Sequence, residues 1–300
     1  RVIREAIVIL PGDVFSQERV LRSYQNVGNL GFFQQPLPFP DTRPANDQGD
    51  IDLSFHVAER RTGNVNFGAS VGQGTGVGGF LGLDEPNLFG LGKRGRLQWQ
   101  FGKNINDFDI SYTDPSVLGS RVSSTFGIHN TRIRYTVADL GRINTQGVSL
   151  QIGWPLPRSR YSRVFTSYGI EKESYSGAAA NLSGAFRCAN CLRSTVGVNF
   201  MRDTRIDLPF ATAGALYNAG AQFTGGPLGG SATFQRYDLE GKWYAPAGQI
   251  GGGGPAGSGV RLVLALSVKA GFVFGNSGPF FRQLYAMGGT QYGIPLRGYD

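Results

Sequence analysis

Chemistry has few footholds in this chain. Cys188 and Cys191 form "CANC", a spacing that serves a redox motif, half of a zinc site or a tight disulfide. Zinc wants four ligands. The two histidines, His56 and His129, lie far off in sequence and there is no second cysteine pair. No βαβ pattern surrounds the cysteines, so a loop disulfide in an oxidising compartment is the favoured reading. Two glycine runs, from Gly74 to Gly79 and from Gly90 to Gly95, spell GxGxxG. A dinucleotide site needs a strand before that motif and a helix after it, so that phosphate meets the helix N-terminus. Strand patterns follow both runs, which makes them turns. Lys93 is followed by Arg94 rather than Ser or Thr, and no serine sits in a nucleophile elbow. No metal, cofactor or enzyme activity is expected. What stands out is Arg297, in the closing "IPLRGYD" between Leu296 and the pair Gly298 and Tyr299.

The elements that would position these residues follow from composition and period. Glycine reaches 46 of 300 residues, aromatics 12%, and charged residues only 17%, below the quarter usual in soluble domains. No stretch approaches the ~20 consecutive apolar residues of a spanning helix. A membrane barrel still fits, because its apolar face is diluted residue by residue with a polar one. The net charge of +8 is scattered over turns and strands. It forms no basic stripe, so loops near an anionic membrane surface are expected rather than a nucleic-acid partner.

From Thr62 onward the period is two. In "VRLVLALSVKAGFVF", the side chains of Val260, Leu262, Leu264, Leu266, Val268, Phe272 and Phe274 fall on one face. Arg261, Val263, Ala265, Ser267, Lys269, Gly271 and Val273 fall on the other. A helix would smear Arg261 and Lys269 across the apolar stripe; a strand keeps them together. The same alternation sets Leu97, Trp99 and Phe101 against Arg96, Gln98 and Gln100, and Val148, Leu150, Ile152 and Trp154 against Gly147, Ser149, Gln151 and Gly153. About eleven such segments recur, each near the ~9–11 residues a tilted strand needs to cross a bilayer. A soluble sandwich also alternates. Here, however, the second face is Gly, Ser, Asn, Gln, Asp and Arg, which suits a wet lumen, and aromatics gather near strand ends as interface girdles do. Short Pro- and Gly-rich turns such as "NLFGLGKRG" and "PLPRSR" lie on one rim. Longer connections, "TRIRYTVADLG" and "SGAAANLSGAFRCANCLRS", lie on the other. The stretch "GGGGPAGSG" falls on the short-turn side and is longer than a turn needs.

Residues 1–60 differ. "SQERVLRSYQNVGNLGFF" reads as a helix capped by Ser16, with Val20, Leu21, Tyr24, Val27 and Leu30 at helical spacing and Gly31 as its stop. A shorter helix is expected from Val2 to Leu10. After a link bearing Pro36, Pro38, Pro40 and Pro44, the strand pattern of "DIDLSFHVAER" places Ile51, Leu53, Phe55 and Val57 on one face. This is a small α+β module that lacks an opening strand. Arg1 already lies inside it, so the chain reads as a piece of a longer precursor.

Three stretches resemble the outer-membrane assembly factor BamA family, a POTRA module followed by a β-barrel. They are "VIREAIVILPGDVFSQERVLRSYQNVGNLGFF", "AERRTGNVNFGASVG" and "MGGTQYGIPLRGYD", with "RDTRIDLPFATAG" as a matching turn. The resemblance implies a mainly β fold: a transmembrane antiparallel β-barrel over residues 61–300, holding about the first eleven of sixteen strands, preceded by part of the last POTRA domain over residues 1–60. It implies that Arg297, with Leu296, Gly298 and Tyr299, is the arginine motif of the sixth extracellular loop, folded back into the barrel toward carboxylates on later strands. Asp109, Asp238 and Glu240 are the lumen-facing acids that can substitute for them here.

The family's first strand pairs weakly with its last and opens a lateral gate toward lipid. In this sequence that strand is Gly63, Asn64, Val65, Asn66, Phe67, Gly68, Ala69, Ser70 and Val71. The function implied is insertion of β-barrel proteins into the outer membrane of Gram-negative bacteria, with the POTRA portion in the periplasm. The partners implied are unfolded outer-membrane proteins, accessory lipoproteins, and outer-membrane lipid or lipopolysaccharide. The POTRA strand Ile51, Leu53, Phe55 and Val57 would add partner strands. Two alternatives stand beside this reading: a two-partner-secretion transporter, and a passive porin or adhesive barrel, which has no need of residues 1–60.

Overall fold

In a computed structural model the described residues are all but 1, 48, 73–75, 136–140, 160, 177–189, 208–209, 252–259 and 286–300. They form two compact units, residues 1–66 with 82–96 and residues 67–81 with 97–300.

The first unit holds two helices, α1 (Val2–Ala6) and α2 (Gln17–Asn29), and a small hairpin of β1 (Asp41–Pro44) and β2 (Ile51–Ser54). The Ser16 side chain accepts from the Arg19 amide at the head of α2, and Gly31 takes a positive φ of 72° just beyond its end. That is the cap chemistry its sequence promised. Val27, Phe33 and Leu37 make the core, with Val57 packed against them. Two elements differ from expectation. α1 ends at Ala6, four residues early, because Val8 turns its amide to the Ser23 hydroxyl at 2.9 Å instead of continuing the helix. The tail of the proline-rich link is itself a strand: Asp41 to Pro44 pair with Ser54 to Ile51. Proline is tolerated there because it stands at the end of an edge strand.

The second architecture is an antiparallel sheet of eleven strands that runs in sequence order. It comprises β3 (Asn64–Gly72), β4 (Gly76–Leu88), β5 (Lys93–Gly102), β6 (Ile105–Asp114), β7 (Ser123–Tyr135) and β8 (Gly141–Pro155). It continues with β9 (Ser162–Ser176), β10 (Cys191–Asp203), β11 (Gly214–Thr224), β12 (Thr233–Ile250) and β13 (Val260–Asn276). β3 and β13 stand at its two ends, so the sheet is open. β7 extends through Thr131–Tyr135, residues expected in a connection; Tyr135 pairs with Gly141. β12 runs on past Pro246, where a bulge lets the register with β13 resume at Gly248.

The burial pattern is inverted relative to a soluble protein. Leu264 is 68% exposed, and Trp99, Phe101, Phe126, Leu150 and Trp243 are likewise on the outside. Such a continuous apolar belt matches hydrocarbon, and strand pairing satisfies the backbone groups that lipid cannot. Among the described residues no helix is long and apolar enough to cross a membrane. The wall that crosses is therefore the sheet.

Candidate functional site

Two places on the sheet carry the features expected of function. The first is the opening strand, β3. In β3, Val65, Phe67 and Val71 lie on one face and are exposed, Phe67 by 79%. Among the described residues no side chain from Asn64 to Ala69 makes a hydrogen bond. Near its start, the Thr62 hydroxyl donates to Glu85, whose carboxylate also accepts from the Asn87 amide at 3.0 Å. Further along, Gly68 is a notch: a Cβ there would come within 2.5 Å of the Phe80 ring. The pattern recurs, with the Phe101 ring against Gly79, Phe165 against Gly153 and Tyr285 against Gly271. Rings lying over strand glycines restore packing that glycine alone forfeits. Sequence reading took Gly79 for a turn former, placed Gly68 in the first barrel strand, and set Gly153 and Gly271 on the polar face of theirs. Their partners are set by cross-strand register, which the sequence does not display.

The second place is the inner face of β9 to β13, where the chain leaving β13 folds back. Phe280 is fully buried among Ile143, Tyr175, Cys191 and Phe234. The Tyr175 hydroxyl lies 2.8 Å from both the Pro279 carbonyl and the Glu173 carboxylate. Arg193 sits over the Phe280 ring at 5.9 Å and pairs with Glu171. Farther on, Arg236 grips Asp238 through two bonds of 3.1 and 3.2 Å and donates to the Gln283 carbonyl at 3.3 Å. Its guanidinium stacks on the Tyr285 ring at 4.6 Å. The Tyr285 hydroxyl donates to Asp238 at 2.5 Å. Burial pushes the Tyr285 phenol above its ordinary pKa, and the hydrogen bond to Asp238 pushes it further. Glu240 is held by Lys242 at 3.0 Å and Lys269 at 3.2 Å. Asp238, Glu240, Asn199, Gln222 and Tyr285 line one cavity of about 460 Å³. These contacts form a clasp: Arg193, Arg236, Lys242 and Lys269 each have an opposite charge in reach.

Several residues named from sequence find their places here. Asp238 and Glu240 face that cavity, already occupied by Arg236, Lys242 and Lys269. Asp109 stands opposite His129 in the β6–β7 register. Leu296, Arg297, Gly298 and Tyr299 lie outside the described residues, as does Cys188; Cys191 is disulfide-bonded. Ile51 and Leu53 lie on β2, with Phe55 and Val57 just past its end. Sequence reading missed the Phe280 anchor. Its only signal was "GPFF" directly after a strand, and two aromatics behind Gly-Pro do not say which way a loop turns.

Comparison with known proteins accords with this geometry. The Omp85 superfamily domain matches residues 87–300. The outer membrane protein assembly factor BamA of Nitratidesulfovibrio vulgaris is 31% identical over 252 residues, 81% of this chain and 30% of that protein. BamA of Neisseria meningitidis serogroup B is 25% identical over 57% of this chain and 22% of its own length. Sorting and assembly machinery component 50 homolog B of Xenopus laevis is 25% identical over 75% of this chain and 46% of its length. The chain thus spans under half the length of each of these curated relatives. Among solved structures, BamA from Haemophilus ducreyi lacking POTRA domains 1–3 superposes with a TM-score of 0.70 at 18% identity, covering 96% of this chain and 56% of that one. A family match over more than two-thirds of the sequence, on an eleven-stranded sheet with its apolar face outward, fixes the assignment: the chain belongs to the Omp85 superfamily of outer-membrane β-barrel proteins, which includes BamA.

Proposed function

We propose that this protein inserts and assembles β-barrel proteins in the outer membrane, and that the edge of β3 is the template. The observation that carries the reading is the state of β3. It presents exposed apolar side chains and has no side-chain hydrogen bond from Asn64 to Ala69 among the described residues. An unpaired edge offers a row of main-chain donors and acceptors to any incoming strand. Main-chain pairing tolerates varied side chains, which suits a machine with many substrates. The relatives' names, assembly factor and assembly machinery, point the same way.

In this account residues 1–60 are the end of a periplasmic POTRA domain and residues 61–300 the start of the barrel. Unfolded outer-membrane proteins are the substrates, accessory lipoproteins the partners, and lipopolysaccharide-bearing lipid the destination. The strand Ile51, Leu53, Phe55 and Val57 pairs with partners, and Arg297, with Leu296, Gly298 and Tyr299, secures loop six within the lumen. Chemistry is non-covalent throughout. The second reading, a polypeptide transporter, uses the same fold, which this chain shares with CdiB from Escherichia coli at a TM-score of 0.56. The two part on one experiment. Val65→Pro or Phe67→Pro removes a main-chain donor from β3. Either variant is expected to abolish insertion of a test barrel protein into liposomes while the variant itself still folds. Normal insertion by both would overturn the templating account, and a wide conductance with no insertase activity would favour transport.

A further inference from the structure

Among the described residues, four non-glycine positions take a positive φ: Phe89 (57°), Leu118 (52°), Arg158 (64°) and Asp207 (61°). They fall one each in the connections β4–β5, β6–β7, β8–β9 and β10–β11. A bulky residue in the left-handed region is an outlier that glycine would avoid. Phe89 and Leu118 each have a glycine next to them, at Gly90 and Gly119. A sequence rich in glycine has therefore put large apolar side chains where a small residue would relax the turn.

Those side chains are also bare. Leu118 is 97% exposed, although the turn around it is tied by Ser116 and Ser120, whose hydroxyls donate to the carbonyls of Ser120 and Val117 at 2.7 Å. The next two connections on that end of the sheet repeat the exposure with Tyr161, Ile206 and Phe210, the last at 87%. The turn before β11 is equally built: Thr212 donates to Asp207 at 2.5 Å, and Arg205 grips Asp203 at 2.8 and 2.9 Å. That grip holds the Arg205 guanidinium above its ordinary pKa. Rigid turns that hold greasy tips outward imply something to receive them.

Charge says what. Arg121 and Arg158 are exposed in the first two of these connections and Arg202 beside the third, at the end of β10; none of them forms an ion pair among the described residues. The acids there are engaged, Asp203 by Arg205 and Asp207 by Thr212, with Arg261 at 3.8 Å. Apolar tips interleaved with free arginines, continuous with a lipid-facing belt, suit a layer of acyl chains capped by phosphates. We propose that this rim is a seat for anionic phospholipid: Leu118, Tyr161 and Phe210 enter the boundary between headgroups and acyl chains, and Arg121, Arg158 and Arg202 pair with the phosphates. The seat fixes how deep the β6-to-β11 wall sits in its leaflet.

The test uses the full-length protein in vesicles, with a fluorophore on Leu118→Cys or Phe210→Cys; the disulfide-bonded Cys191 does not compete for label. Phosphatidylglycerol or phosphatidylcholine brominated on the acyl chains serves as quencher. Both labels are expected to be quenched, more strongly by phosphatidylglycerol, while a label on Asp52→Cys in the helical module is not. Replacing Arg121, Arg158 and Arg202 with Gln should cut the preference for phosphatidylglycerol by about fivefold per arginine that pairs, the worth of one basic residue at an anionic surface. The substitutions lie on exposed positions, so folding is not at stake. Absence of quenching by either lipid would place the tips in water or against another protein and overturn the proposal. Equal quenching by the two lipids would overturn the phosphate pairing.

Discussion

Two regions of one sheet are built to different standards. β3 is nine residues long, with its apolar residues exposed and a notch at Gly68 filled by Phe80. β12 is eighteen residues long and lies in a wall knitted by Arg236–Asp238, Lys242–Glu240 and Lys269–Glu240, with Phe280 sunk beneath it. A sheet of this kind can loosen at one end while the other keeps its shape. The lesson is that the weak end is weak by composition, and that weakness is what an incoming strand requires.

Removing the anchor breaks the comparison most sharply. Phe280→Ala vacates a fully buried site and is expected to cost about 3–5 kcal/mol, the usual range for a buried phenylalanine. Urea unfolding in micelles measures the loss. Amide exchange should rise in β9 to β13 and stay unchanged in β3; a rise in β3 alone would mean the two ends are not separable.

Gly68→Ala attacks the other end. The new methyl must displace Phe80, which is expected to cost about 1–3 kcal/mol as overpacking does. Here exchange should rise in β3 and leave β12 protected. Paired with Phe80→Ala, which vacates the notch for the methyl, most of that cost should disappear. A double variant as unstable as the single one would deny the notch its role.

Tyr285→Phe is the mildest change. It deletes a hydrogen bond to Asp238 but keeps the ring on Gly271 and under Arg236, so about 1 kcal/mol is at stake. Limited proteolysis after β13 should speed up slightly, with no effect on insertion. A large loss of insertion would instead make the clasp part of the working edge.

What the sequence made legible follows from how local each signal is. The period of two named the strands, because lipid and water sort side chains at every step. Ser16 and Gly31 named the ends of α2, since caps are written within four residues of where they act. β1 stayed hidden because three prolines precede Pro44, and proline argues against a strand wherever it lacks an edge. The anchoring of Phe280 beneath residues 143, 175 and 234 could not be read, for those contacts join strands far apart in sequence. The site was legible in outline only: the first strand could be named, but its looseness depends on what lies across from Gly68.

The templating claim is tested most directly by trapping a substrate strand on the edge. Asn66→Cys in β3 is mixed, during insertion into liposomes, with a test barrel protein carrying single cysteines along its last strand. With an added thiol oxidant, the account predicts a disulfide at the one substrate position that faces Asn66 and none at the positions beside it, the signature of a paired strand in one register. Efficient insertion with no β3 cross-link at any substrate position would contradict it.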